Sequence, residues 1–477
     1  MKHSLIAAVC FSCVVPPAVV ARAAITASPG FAITQVATPD TVQGDVVRAG
    51  DAILVGQGAF GPGQQYVVRI DGGGTTVIAD GFGGLSGFSL APDGTLYLVD
   101  NCYTGDFGCG AATTGDTVYA IPDALTRTTA LAAGDAEVLP AGSIPFAQDV
   151  LALDDRILVA DAAGPGAGRV LQISGSTATP LVSGLGYTAG LTLDGGTLLV
   201  GDVDASFAGS VGRYSAAGAS LGTLASGLSG AFGVDFDALR SDALLTGGFT
   251  ADFSSSTLAE VASNGAVSER AKGFGFSGGV FHDLVRDETL VLDFGVDEVT
   301  VVCADTDADA TCDLPCPAPV PATDAKIVVK GLSGASGDES LTIKGIAALP
   351  DPEAIDPVSF GLRVFVRSAP GVLVGHVLVP PGAFDAGSGA GWLVNGSGTR
   401  WKYRNPTGPA GATTAKVIRL ATGDVKFVVR GKRGARLRRD GTFPLSAQIV
   451  FAGDGQCAET AVAGCTTAGG GDVVKCR

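Results

Sequence analysis

Between Cys303 and Cys312 the chain places carboxylates at Asp305, Asp307 and Asp309, with Asp313 just beyond, a spacing of i, i+2, i+4 and i+8. Oxygen ligands so spaced can wrap a hard cation, as positions 1, 3, 5 and 9 of a calcium loop do, and calcium is the cofactor to expect here. Two residues depart from that loop: Ala310 stands where the turn glycine belongs, and Cys316 where a bidentate glutamate would fall. The competing reading is a solvated acidic linker stapled by disulfides.

A second set of acids recurs. Asp100, Asp161, Asp202 and Asp293 each end a short apolar run. Chemistry needs one unique residue, whereas architecture needs one per repeat, so these four are expected to accept backbone N–H bonds at turns; a cation or sugar site at a pore mouth is the other reading. His282 precedes Asp283, but neighbours on a strand point to opposite faces, so the pair does not make a general base. No Gly-x-Ser-x-Gly elbow lies between a strand and a helix. The basic run Arg430, Lys432, Arg433, Arg436, Arg438 and Arg439 suits an anionic glycan or phosphorylated surface, docking on an acidic partner domain, or a solvated hairpin.

Lys2 and His3, the apolar stretch Leu5 to Val20 and the small-residue site Ala21-Arg22-Ala23 read as an export signal over residues 1–23. Eight cysteines then enter an oxidising compartment: Cys102, Cys109, Cys303, Cys312, Cys316, Cys457, Cys465 and Cys476. Cys102 and Cys109 are expected to close a local loop. Three cysteines remain in 303–316 and three in 457–476, and odd numbers cannot pair internally. Full oxidation therefore requires a bond between the groups, most simply Cys316 to a tail cysteine, with Cys303 and Cys312 closing the acidic loop. The protein is expected to be secreted or periplasmic, with no membrane span in the mature chain.

Charge is divided unevenly. Residues 324–477 hold 19 Lys and Arg against 12 Asp and Glu, a net of +7, whereas 24–323 hold 10 against 35, a net of −25. That asymmetry predicts two domains and argues against nucleic acid as a partner of the acidic one.

What must position these residues is a repeat. Apolar runs begin at Ile53, Leu96, Ile157, Leu198, Leu244 and Leu290, in steps of 43, 61, 41, 46 and 46 residues. A period near 40–45 residues is that of a four-stranded blade, so 24–302 should form a six-bladed β-propeller. The sixth copy lacks a strand, and Phe31 to Val36 is free to pair with 298–303 and abolish the open edge. A linker rich in Asp, Pro and Cys spans 303–323. Short alternating strands from 324 to 477, such as Leu362-Arg363-Val364-Phe365-Val366, predict a β-sandwich, making the whole chain all-β.

The phrase Ala91-Pro92-Asp93-Gly94-Thr95-Leu96-Tyr97-Leu98-Val99-Asp100-Asn101 resembles the blade consensus of NHL and SMP-30/gluconolactonase-like six-bladed propellers, over about residues 31–303. The acidic linker resembles a thrombospondin type 3 repeat. In the lactonase branch the resemblance implies a divalent metal held by a Glu, an Asn and an Asp. Here Gln43 stands at the Glu position, and Ser86 and Ala189 precede inner strands where Asn would be, so that activity does not carry over. The expectation is a non-catalytic binding or surface-associated protein with a protein or glycan ligand. Its alternatives are a metal-dependent lactonase-like hydrolase, a quinone-dependent sugar dehydrogenase and a structural cell-envelope component.

Overall fold

The computed structural model describes residues 24–477 except 73, 104–108, 154–155, 164–165, 248–254, 295, 306–307, 309, 311, 313–315, 317, 333–338, 370, 407–410, 433–442, 452–454, 463 and 471. The export signal, Asp307, Asp309, Asp313, Arg433, Arg436, Arg438 and Arg439 thus lie outside the described residues. The chain divides into two compact units, residues 1–313 and 314–477.

The first unit is a propeller of six blades. Their inner strands are Val42–Ala49, Leu85–Leu90, Ala147–Ala152, Tyr187–Asp194, Val234–Asp237 and Ser277–Asp283. The second strands carry the repeated apolar runs. Glu288–Asp293 is buried along its full length, and Ala52–Gly58 everywhere but its first residue. Each run is apolar on consecutive residues because the neighbouring blades cover both faces of the sheet. Between blade 2's first two strands, Gly94 takes φ 87°, and Asp93 accepts a hydrogen bond from the Thr95 amide at 2.8 Å, fixing the hairpin.

Closure is made by the two ends of the unit. Phe31–Ala37 pairs antiparallel with Glu298–Ala304, from Phe31 opposite Ala304 to Ala37 opposite Glu298, and so supplies the fourth strand of blade 6. Thr26–Ala27 goes further and adds a fifth strand to blade 5, opposite Lys272 and Ala271.

Blade 2 departs from the expected pattern, with three strands rather than four. The 61-residue step does not lengthen it. Leu131–Ala132 instead crosses to blade 1 and pairs in parallel with Ala79 and Asp80, while the Arg69 guanidinium holds the Arg127 carbonyl at 2.8 Å. The third strand of blade 2 is met only by a short stretch, Glu137 bridging Tyr119 and the Val138 amide donating to the Val118 carbonyl at 2.9 Å, while Leu131–Ala132 covers the edge of its neighbour.

The second unit is one large curled sheet. The long strand Val320–Lys330 belongs to both halves: its first residues pair with Cys457–Ala461, and its later ones with Ser340–Ala347 and Val473–Cys476. The halves enclose a single core that includes Val364, Trp392, Trp401, Phe427 and Phe451. This is the sandwich expected, with its two layers continuous through a shared strand. Four disulfides form: Cys102–Cys109, Cys303–Cys312, Cys316–Cys457 and Cys465–Cys476. The link between the 303–316 and 457–476 groups that parity demands is Cys316–Cys457.

Candidate functional site

Three aspartates stand on the inner strands of alternate blades, Asp45 in blade 1, Asp149 in blade 3 and Asp235 in blade 5, and the first two line the cavity at the propeller's centre. In blades 1 and 3 the ladder slips beside the acid, between Gln43 and Val46 and between Ala147 and Asp149. Such a bulge re-aims a side chain. Each carboxylate repeats one bonding scheme. Its Oδ1 accepts the next amide of its own strand, from Val46 at 2.8 Å, Val150 at 2.7 Å and Phe236 at 2.8 Å. Its Oδ2 accepts an amide from the next blade's inner strand, from Phe88 at 3.0 Å, Leu191 at 2.7 Å and His282 at 2.5 Å. The three acids therefore clip blade 1 to 2, 3 to 4 and 5 to 6.

Glycine on the intervening blades makes room. A Cβ on Gly87 would stand 2.1 Å from Asp149 Oδ1, and one on Gly279 2.0 Å from Asp45 Oδ1, so neither position admits a side chain. Among the described residues no Lys or Arg side chain bonds these carboxylates. Burial pushes the Asp45 carboxyl up to about 7 against the pull of its Phe88 and Val46 amides, with Asp235 adding repulsion. Burial also pushes Asp149 well above its ordinary value, helped by Asp45, and raises Asp235.

The channel beside them is narrow. A cavity of about 50 Å³ is lined by Asp45, Asp149, Ser86, Gln148 and several glycines. Gln148 Nε2 is buried there without a hydrogen-bond partner. Phe232, Phe276 and Phe294 also line it, and belong to an arc of rings running Phe146, Tyr187, Phe232, Phe276, Phe294 with successive centroids 6.0, 6.3, 6.2 and 5.7 Å apart. The space suits a few waters and is far below the roughly 300–1,000 Å³ of small-molecule sites.

The four repeated aspartates all tie down the approach to their own blade's inner strand. Asp100 accepts amides of Gly83 at 2.7 Å, Gly84 at 2.9 Å and Cys102 at 2.8 Å. Asp161 takes Phe146 at 3.1 Å and the Arg169 guanidinium at 2.7 Å; Asp202 takes Gly186 at 2.9 Å; Asp293 takes Gly275 at 2.8 Å and Phe276 at 3.0 Å. Burial lifts Asp100 to about 6 despite its three amide bonds.

His282 is not alone. Its Nδ1 lies 3.1 Å from Thr289 Oγ1, and its Nε2 3.4 Å from Asp237 Oδ1. Asp237, His282 and Asp287 offer ligand atoms within 4.8 Å of one another, close enough for a metal. Two guanidiniums already engage both carboxylates: Arg240 bonds Asp237 at 2.7 Å and Asp287 at 2.5 and 3.1 Å, and Arg270 bonds Asp237 at 2.7 Å and Glu260 at 2.6 Å. Burial opposes ionisation of Asp237, yet His282, Arg240 and Arg270 hold its carboxyl far below the ordinary range.

Of the four acids expected to bind calcium, Asp305 alone is described. It is buried, and its Oδ2 accepts the Ala310 amide at 3.1 Å across the loop closed by Cys303–Cys312. Gln43 pairs with Gly56, and the acid facing the channel is Asp45, two residues on. The channel trio escaped the sequence reading because Gly-Asp-Val, Gln-Asp-Val and Val-Asp-Phe share no motif. A signal existed: Asp45, Asp149 and Asp235 are 104 and 86 residues apart, two blade steps each.

No protein-family model matches the chain. No curated protein matches it in sequence. In fold it is similar to a gluconolactonase from Xanthomonas campestris, at 14% identity and TM-score 0.38 over 59% of this chain and 99% of that one. It is similar to a PQQ-bound aldose sugar dehydrogenase from Streptomyces coelicolor, at 13% and 0.40 over 58% and 99%, and to an auxiliary nutrient binding protein from Bacteroides ovatus, at 10% and 0.40 over 58% and 77%. The blade count stands on the strand pairing given above: the molecule is a six-bladed β-propeller followed by a β-sandwich.

Proposed function

We propose that the protein is an exported, non-catalytic binding protein whose propeller is a rigid scaffold and whose ligand is met at the surface. The carrying observation is the channel: about 50 Å³ of space, and three carboxylates whose oxygens are all bonded to backbone amides. A lactonase or sugar dehydrogenase needs room for substrate and acids free to hold a metal or move a proton. Export is supported by four disulfides, which persist in oxidising compartments. Among the described residues no helix is long and apolar enough to cross a membrane. Calcium in the acidic loop belongs to the same proposal, as a brace between the disulfide-closed ends.

The test is an activity screen of the purified protein on aldonolactones with added calcium, zinc or manganese, and on aldoses with added pyrroloquinoline quinone. No turnover above the protein-free rate is expected. Turnover that disappears in Asp149→Asn would overturn the non-catalytic reading and put the chemistry in the channel.

A further inference from the structure

The second unit carries a face of one charge. Five of its strands, Ser340–Ala347, Arg400–Arg404, Gly411–Arg419, Val425–Lys432 and Val473–Cys476, contain no acidic residue. Their inward side chains are apolar, among them Ile343, Trp401, Val417 and Phe427, and their outward ones are largely basic. The register sets these in rows across the sheet. One row runs Lys326, Lys344, Val428, Lys416, Lys402, and the next runs Thr342, Arg430, Thr414, Arg404.

Like charges directly opposite on neighbouring strands destabilise a sheet, and Lys326 with Lys344 and Lys402 with Lys416 are such pairs. Proteins ordinarily intersperse acids to relieve this. Within the two rows none does: among the described residues none of these six Lys and Arg side chains is in an ion pair, and Asp324, the acid on the strand of Lys326, stands outside both rows. The repulsion is felt, since Arg477, then partial desolvation, then Lys344 and Lys475 pull the Lys326 ammonium below its ordinary value. A groove of about 1,030 Å³ opens on the face, lined by Lys402, Arg404, Lys416, Arg430 and Lys432, with the half-buried ring of Phe384 at its side.

We propose that this face binds a linear anionic polysaccharide, its sulfate or carboxylate groups lying along the rows of ammonium and guanidinium groups. Charge complementarity is the first reason, because a polyanion supplies the counter-charge that the sheet lacks. Extent is the second: five strands from Lys326 to Lys402 span about 20 Å of sheet, which fits a chain and exceeds what a single small anion would use. The third is the scarcity of stacking platforms. Single-stranded nucleic acid is held by successive aromatic side chains, and the two outward rows contain none. Phe384 offers one apolar ring for a sugar face. The inference gives the proposed binding function a ligand class, and because it rests on the second unit, it can fail while the channel assay succeeds.

The test uses the full-length protein and dextran sulfate, with alginate as a carboxylated polymer, neutral dextran as control and a 20-base-pair DNA duplex as the competing class. Binding is measured by calorimetry at low and at physiological salt. Dextran sulfate or alginate should bind, neutral dextran should not, and affinity should fall steeply with salt. Lys416→Glu with Arg430→Glu should weaken binding at least about tenfold, whereas Arg213→Glu with Lys272→Glu on the propeller, an equal change in net charge, should leave it within about twofold. Three results would overturn the proposal: no binding of either acidic polysaccharide, equal loss in both double variants, or tighter binding of DNA than of either polymer. Trp392 and Trp401 both lie in the core of the second unit, so unchanged tryptophan emission certifies that the Lys416→Glu, Arg430→Glu variant is folded, and an unchanged far-ultraviolet circular dichroism melt does so for the propeller variant.

Discussion

The propeller channel and the outer face of the second unit use charge in opposite ways. In the channel, three acids point inward, each carboxylate oxygen is bonded to an amide, and among the described residues no Lys or Arg bonds them. On the sheet face, bases of one sign point outward, and among the described residues the six Lys and Arg of the two rows are in no ion pair. The first is charge used as fastening; the second is charge left for something else to meet. The contrast recurs within one strand. Asp235 and Asp237 sit two residues apart, yet burial lifts Asp235 against its amide bonds and His282, while Asp237, held by His282 and by Arg240 and Arg270 as well, is kept down. Partners rather than depth decide what a buried acid does.

The largest test of this contrast removes a buried acid that fastens backbone. Asp100→Ala strands three buried amides and should destabilise the propeller by about 3–5 kcal/mol in urea titrations followed by far-ultraviolet circular dichroism. Arg270→Ala, which takes a fully buried cation from Asp237, should cost a similar amount. A loss below about 1 kcal/mol in either would show that inward charge is not the fastening described.

Next comes the disulfide joining residues 141 apart. Cys316→Ser with Cys457→Ser should cost the second unit about 2–4 kcal/mol, read by tryptophan fluorescence, which reports that unit alone because both tryptophans lie there. The propeller's own transition should not move.

The pH dependence has a definite sign. An Asp whose folded value is raised binds more protons folded than unfolded between its two values. Asp45 therefore makes stability fall as pH rises from about 4 to about 7. Asp237, depressed in the fold, contributes stability that is present above about pH 4 and lost on acidification. Asp45→Asn should flatten the decline in the propeller's melting temperature between pH 5 and pH 8; an unchanged slope would remove Asp45 as its source. Least of all, Lys416→Ala on the basic face should change stability by no more than about 0.5 kcal/mol, because nothing in the fold depends on it.

Much of the propeller could be read from residue order, since blade count depends on local periods. The apolar runs, the Asp93-Gly94 turn and the orphan strand from Phe31 are all local signals, and an unpaired edge leaves that strand one destination. That a bond joins the two groups of three cysteines followed from parity, whereas the choice of Cys457 over the other tail cysteines did not. The fate of Leu131–Ala132 was not legible, because covering blade 1 or completing blade 2 buries similar edges and two residues carry no preference.

Sequence alone determined what depends on period and count: six blades, a charge divided between two units, and the need for a disulfide joining two groups of three cysteines. Only the tertiary structure decided what depends on convergence. Asp45, Asp149 and Asp235 share no local motif and meet because alternate inner strands circle one axis. Lys344, Lys416 and Lys402 become a row only once strand register is set, since slipping a strand by one residue would turn its charges into the core.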